Sequence, residues 1–247
     1  MAAWYERFFD GLYSRVLPKQ FDKAVTLRQA RIVKRLLKVR KGHRVLDIPC
    51  GVGRLTIPMG KTGLLMTGVD LTAEYLRRAS RDARRARAKA GFLCCDMRAI
   101  DFCGEFDAAF NWFGSFGYFS DAENLAFCQR VLRALRPGGR FLVEGINKTW
   151  LLTHFRPETE LQAGGVSVAM HNRWDKRTNR VCSTWTFRRG KTRERHTVDM
   201  RVFNGAEIRA LLRSAGFRDV KLYQNPPDRP FSRHARRWIA VARKPGQ

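Results

Sequence analysis

The apolar positions of this 247-residue chain change period several times, and those changes divide it into elements. Trp4, Phe8 and Leu12 recur at helical spacing, with Tyr5, Phe9 and Tyr13 nearby, which predicts an aromatic amphipathic helix from Trp4 to Leu17 that ends before Pro18. Leu27, Ile32, Leu36 and Leu37 predict a second, basic helix from about Val25 to Val39. The rhythm then shortens. Arg44 to Pro49 reads as a buried strand, and Cys50 to Thr56 as a tight turn opening a helix. Further strands are predicted at Leu64 to Asp70, Gly91 to Cys95, Phe106 to Trp112 and Arg140 to Ile146. Helices at Ala73 to Ala90 and Asp121 to Leu135 separate them, the second closed by Arg136-Pro-Gly-Gly139.

Strands alternating with helices imply right-handed βαβ units and a parallel sheet covered on both faces, an α/β fold. From Val166 to Val202 the pattern becomes period-2. Val166 to Trp174, Arg180 to Arg188 and His196 to Val202 predict three antiparallel strands inserted before a last helix, Gly205 to Ala215. Gly216 to Tyr223 and Arg237 to Arg243 then close the sheet as an antiparallel pair.

Composition adds one unusual feature. Lys and Arg number 48 against 22 Asp and Glu, a net charge of +26, with 36 of the 48 being arginine. Such a surface attracts polyanions of many kinds without identifying one. No apolar run approaches the ~18 residues that span a bilayer, so no membrane partner is expected. The N-terminus lacks a secretory pattern, which makes the cytoplasm the default compartment. The six cysteines form no C-x-x-C pair and the five histidines no H-E-x-x-H, so neither a disulfide framework nor a metal site is expected. A monomer or homodimer is the default assembly.

The candidate chemistry lies in Val45-Leu-Asp-Ile-Pro-Cys-Gly-Val-Gly53. Gly51 and Gly53 let the backbone turn sharply and let a ligand approach main-chain N–H groups at the helix start. Asp70, 19 residues beyond Gly51, has the spacing of a carboxylate that meets ribose hydroxyls. Dinucleotide enzymes share that much. Thr56, however, replaces the third glycine of G-x-G-x-x-G. Asp47, just ahead of the turn, would repel a pyrophosphate and favour a cationic nucleoside such as S-adenosylmethionine.

The run Val45 to Gly53, followed by Val69-Asp70, resembles the first two motifs of class I S-adenosylmethionine-dependent methyltransferases. Cys94-Cys-Asp-Met-Arg98 resembles the third, and Phe106 to Trp112 and Leu135 to Val143 the fourth and fifth strands. The resemblance is dense over about Arg44 to Ile146 and looser over Val202 to Phe217 and the terminal strand. It implies a doubly wound, seven-stranded, mostly parallel Rossmann-like sheet, here with a small antiparallel β insertion at about residues 150–202. It implies an N-terminal helical lid over residues 1–42 and a methyltransferase domain over 43–247. The cofactor implied is S-adenosyl-L-methionine, contacted by Asp47, Gly51, Gly53, Asp70 and Leu71, with Asp96 and Met97 at the adenine and Asn111 after the fourth strand.

Methyl transfer from a sulfonium is an in-line displacement that depends chiefly on alignment, so a dedicated base is optional. Asn111-Trp-Phe-Gly-Ser-Phe-Gly-Tyr-Phe119 resembles the active-site border of small-molecule methyltransferases, amino-sugar N-methyltransferases among them. Tyr118 there could orient the acceptor or take its proton, or it could simply pack. His171 and Arg173 share a strand face at i, i+2 spacing, and His171 is a second catalytic candidate. Arg201 and Tyr13 complete the substrate set, Arg201 as an anion ligand or a brace. The expected acceptor is a small molecule methylated on N, O or C, and the charge suits an anionic one. The alternative is a tRNA or rRNA methyltransferase, supported by +26 and by basic runs such as Arg77 to Lys89. No RRM or KH signature accompanies those runs, and Asn225-Pro-Pro-Asp228 lies after the wrong strand for an amino-methylating motif.

Overall fold

A computed structural model describes residues 3–9, 11–16, 21–227 and 230–246. Its seven-stranded sheet has the order β10-β11-β5-β4-β1-β2-β3, with β11 antiparallel to both neighbours and the other four pairings, within β5-β4-β1-β2-β3, parallel. In chain order the strands are β1 Arg44–Asp47, β2 Leu65–Asp70, β3 Ala90–Cys94, β4 Phe106–Asn111, β5 Leu135–Ile146, β10 Arg218–Gln224 and β11 Arg237–Arg243. The doubly wound arrangement expected from the alternating pattern is present. Helices α6 (Asp121–Ala134) and α8 (Gly205–Ser214) cover one face, where Phe106, Phe127, Phe141, Phe217 and Trp238 form the larger core. The other face is covered by α3 (Lys23–Leu37) and α4 (Thr56–Gly60), through Val33, Leu37 and Met59 against Val45, Phe110 and Leu142.

Local chemistry sets the ends of these helices. Asp22 caps α3 by accepting Val25 N–H at 2.7 Å, and Lys38 ends it in the left-handed conformation. Reciprocal capping boxes start α6 (Ser120 with Glu123) and α8 (Asn204 with Glu207). Because α3 belongs to the sheet's own core, only the segment ahead of it lies apart, so the N-terminal region divides within residues 1–42.

That segment is two short helices, α1 Trp4–Phe8 and α2 Tyr13–Val16, not the single helix predicted. Gly11, at φ +59°, turns the chain between them. The expected end at Leu17 lies outside the described residues. The insertion also differs. It is a four-stranded antiparallel sheet, β6 Glu158–Ala163, β7 Val166–Asp175, β8 Arg180–Arg189 and β9 Thr192–Arg201. Its first strand escaped the sequence pattern because Glu158, Glu160 and Gln162 face solvent and leave little apolar signal. A short helix α7, Lys148–Thr153, precedes it, capped by Asn147. Val166, Val168, Phe187 and Val198 pack the sheet against Phe8, Leu12, Tyr13 and Val16, so the insertion and the N-terminal helices share a core of their own.

Candidate functional site

The site forms at the carboxyl ends of β1, β2 and β4, where the chain leaves the sheet. Gly51 (φ +56°) and Gly53 (φ +74°) take the left-handed conformation in the turn after β1. A Cβ on Gly51 would project into open space, the cradle a ligand needs; one on Gly53 would press on Ile57 and Ala79 at 3.2–3.3 Å. Gly51 therefore keeps the approach clear, and Gly53 lets α5 (Ala73–Arg85) pack closely on the turn. The Gly51 N–H donates to Asp70 at 2.8 Å, and Thr72 N–H donates to the other oxygen of the same carboxylate at 2.9 Å. Burial raises the Asp70 pKa against these bonds.

Asp47 ends β1 and is only 3% exposed. The Thr56 hydroxyl donates to it at 2.5 Å, so the residue standing where a third glycine would be is the partner of the buried acid. Burial pushes the Asp47 pKa up to about 7, opposed by the Thr56 bond and the charge of Arg54. Arg54 lies in the same wall, over the Phe21 ring at 4.2 Å and donating to Gln29 at 2.7 Å. Its burial lowers its pKa to about 10.

One cavity joins these groups. Asp47, Gly51, Asp70, Leu71, Asp96, Met97, Tyr13 and Tyr118 all line it. Its other walls are aromatic: Tyr5 and Phe9 from the N-terminal segment, Tyr75 from α5, and Trp112, Phe113 and Phe119 from the loop after β4. Arg98, which sequence reasoning passed over, clamps the Asp96 carboxylate (2.7 Å) and Glu123 (2.6 Å) and lies over Phe119 and Tyr5 at 4.6 and 5.4 Å. Burial works to raise the Asp96 pKa, but the Arg98 bonds prevail and hold it below the usual carboxylate value. The i, i+2 spacing of Asp96 and Arg98 was the available sequence signal.

Tyr118 sits among Trp4, Phe9 and Tyr5, with ring centroids 4.8, 6.0 and 6.5 Å away. Tyr118 is half-buried and lines the cavity, and burial pushes its pKa up to about 12 against a hydrogen bond with Ser115. Tyr13 is raised further by burial.

The remaining predicted residues are elsewhere. His171 stands exposed on β7, with Glu158 of β6 at 3.3 Å, and Arg173 is exposed two residues on; neither lines the cavity. Arg201 is 8% exposed and committed to Asp121 (3.1 Å), Glu207 (3.6 Å) and the Val202 carbonyl, which makes it the brace and not an anion ligand. Its main chain also holds the acceptor-side loop, because Arg201 N–H donates to the Gly117 carbonyl at 2.8 Å. Asn111 is wholly buried and does not line the cavity; neither polar atom of its side chain has a partner among the described residues. Every residue of β4 after Asp107 is buried, so the strand gave no alternation by which to assign its side-chain directions. Glu144 was also missed. It is 1% exposed and accepts Phe113 N–H (3.0 Å), Gly114 N–H (3.1 Å) and the Arg237 guanidinium (2.9 Å).

Among the described residues no group of three or more His, Cys, Asp or Glu could hold a metal ion, and no helix is long and apolar enough to cross a membrane. Residues 45–139 match a family model described as a methyltransferase domain. An uncharacterized protein of Mycobacterium tuberculosis is 40% identical over 103 residues, which cover 41% of this chain and 36% of that protein. The match thus spans little more than a third of that relative's length. A solved S-adenosylmethionine-dependent methyltransferase from Clostridium acetobutylicum has the same fold, with a TM-score of 0.79 at 18% identity over 98% of this chain and 99% of that one. A sugar N-methyltransferase from Streptoalloteichus gives a TM-score of 0.67 at 19% identity, covering 95% and 92%. Residues 45–139 thus resemble a methyltransferase domain, and the chain has the fold of solved S-adenosylmethionine-dependent methyltransferases, whose cofactor is S-adenosylmethionine. The open cradle at Gly51 and the acids Asp47, Asp70 and Asp96 around one cavity fit such a cofactor.

Proposed function

We propose that this chain methylates a small-molecule acceptor at a nitrogen atom inside the aromatic end of the cavity. One observation carries the reading: the acid-lined cradle opens without a break into a chamber walled by Tyr5, Phe9, Tyr13, Trp112, Phe113, Tyr118 and Phe119. S-adenosylmethionine supplies an electrophilic methyl group on a sulfonium. Asp47 would face its cationic methionine end, Asp70 its ribose, and Leu71, Asp96 and Met97 its adenine. Trp4 to Val16 act as a lid, excluding water and fixing the acceptor against the loop after β4.

Nitrogen is favoured by the proton inventory of the chamber. Tyr118, with a pKa of about 12, and Tyr13, higher still, stay protonated near neutral pH. Arg54 is cationic, Asp47 accepts from Thr56 and would be turned to the donor's cationic end and not to the acceptor, Asp70 is engaged by two main-chain N–H groups and Asp96 by Arg98. His171 is absent from the lining. An acceptor that carries a free lone pair, as an uncharged amine does, needs no base at the moment of attack, whereas an alcohol must lose its proton. Alignment by the rings is then the chain's contribution to rate. The sugar N-methyltransferase neighbour supports this acceptor class, and the chamber's lack of cationic side chains other than Arg54 turns the choice from an anionic acceptor to an uncharged one.

The test is to incubate the protein with methyl-labelled S-adenosylmethionine and, separately, the low-molecular-mass and RNA fractions of a cell extract. Label should enter a small amine in the first fraction. Label entering nuclease-sensitive RNA instead would overturn the small-molecule reading, and label on a hydroxyl would overturn the nitrogen one.

A further inference from the structure

Beside the cavity, and sharing Val52 and Tyr75 with it as a common wall, lies a second recess lined by Ser14, Glu74, Arg77, Arg78 and Arg81. We propose that this recess is a phosphate-binding site at the rim of the cofactor cavity. Its arginines have little to satisfy them. Arg78 and Arg81 both reach toward one carboxylate, Asp82, at 3.7 and 3.8 Å, beyond hydrogen-bond distance, with side chains 48% and 61% exposed. Arg77 makes no ion pair among the described residues. Glu74 is the one carboxylate in the lining, so three guanidinium groups outnumber it.

The helix that carries them makes the imbalance worse. Arg77, Arg81 and Arg85 repeat at i, i+4, and each such like-charge pair is destabilising, a cost that a bound anion would relieve. Against that cost α5 buries only Tyr75, Leu76, Ala79 and Ala83. Guanidinium forks match the paired oxygens of phosphate, and three of them around one recess suit a dianion better than a single carboxylate. A lipid surface is disfavoured, because Ala73 and Ser80, not large apolar side chains, lie between the charges. Phosphate binding here is independent of which acceptor the cavity takes. The phosphate could belong to a small phosphorylated compound or to a nucleic-acid strand, since exposed Arg84 and Arg85 extend the charge along the helix.

The experiment titrates the protein at fixed ionic strength with inorganic pyrophosphate by calorimetry, and with a single-stranded RNA oligonucleotide by anisotropy. Arg77→Gln/Arg81→Gln is compared with Arg188→Gln/Arg193→Gln, which removes equal charge at the remote β8–β9 turn, and circular dichroism verifies folding of both. We expect pyrophosphate to bind the parent and the remote variant alike, and to weaken about tenfold or more in the recess variant. RNA binding much tighter than pyrophosphate, with the same dependence on the recess, would identify a strand as the source; pyrophosphate binding alone would identify a small phosphorylated compound. Equal losses in the two variants, or no pyrophosphate binding by the parent, would overturn the site.

Discussion

The carboxylate of Glu194, on the second strand of the β8–β9 hairpin, accepts the main-chain N–H of Leu12 at 2.9 Å. The turn it holds is as tight as glycine allows, since a Cβ on Gly11 would stand 2.5 Å from the same carboxylate. The insertion therefore carries the N-terminal helices over the cavity, and His171 and Arg173 project from it to solvent and not to a substrate.

Glu194→Ala should free this turn. A charge-assisted hydrogen bond at a part-buried position is worth about 1–2 kcal/mol, so amide exchange over residues 4–16 should accelerate about tenfold, while the main sheet stays protected. Glu194→Gln retains an acceptor for the Leu12 N–H and should show a smaller effect. Unchanged exchange in Glu194→Ala would mean that the apolar contacts of Phe8, Leu12 and Val16 alone hold the segment.

Asp47 predicts an unusual pH dependence. Its folded pKa, about 7, lies above its ordinary value of 3.8, so between those values the folded protein holds a proton the unfolded chain has lost. Stability without ligand must then fall as pH rises from about 4 to 7 and remain lowered above that. Asp47→Asn removes the titration. Scanning calorimetry should find it more stable than the parent by a few kcal/mol at pH 8, with the difference closing toward pH 4. The same substitution should weaken binding of the cationic cofactor, read by calorimetry without turnover. A stability difference that ignores pH would show that Asp47 is ionised throughout.

The parts of the site legible in the sequence are those that one short stretch of chain builds. Asp47, Gly51 and Gly53 belong to a single strand-turn unit, and Asp70 follows one βα crossover later, so their spacing encodes their geometry. The acceptor side comes from segments far apart in the chain. Spacing of i, i+2 put His171 and Arg173 on one face of β7, but not which face looks toward the cavity. Only the packing of Val166 and Val168 against Phe8 and Tyr13 decides that. Arg201 and Glu144 are likewise recognisable as braces only once Asp121, Glu207 and Arg237 are seen around them.

Glu144 predicts a coupling between stability and the acceptor loop. Its carboxylate holds Phe113, at φ +72°, and Gly114, at φ +69°, in left-handed conformations through their N–H groups while paired with Arg237. Removing one partner of a buried pair costs about 3–5 kcal/mol, and Arg237→Ala leaves a carboxylate only 2% exposed without its counter-charge. Denaturant unfolding should report a loss of that order. Glu144→Gln should destabilise less yet raise KM for the acceptor, because the loop keeps two hydrogen bonds but loses the charge that fixes it. Equal KM in that variant would separate the loop from the pair.

Tyr118 distinguishes alignment from proton transfer. With a hydroxyl pKa of about 12, it is almost wholly protonated across the range in which a methyltransferase would be assayed, so it can donate a hydrogen bond but not accept a proton from the acceptor. Its ring, packed among Trp4, Tyr5 and Phe9, is the part that shapes the chamber. Tyr118→Phe keeps that ring and should retain turnover within a few-fold, with an unshifted pH–rate profile whose single limb follows the pKa of the acceptor amine. Tyr118→Ala opens the cage and should cost about 10²-fold in kcat through misplacement of the acceptor. A hundredfold loss in Tyr118→Phe, with that limb abolished, would assign the proton to the phenol and restore an oxygen acceptor to contention.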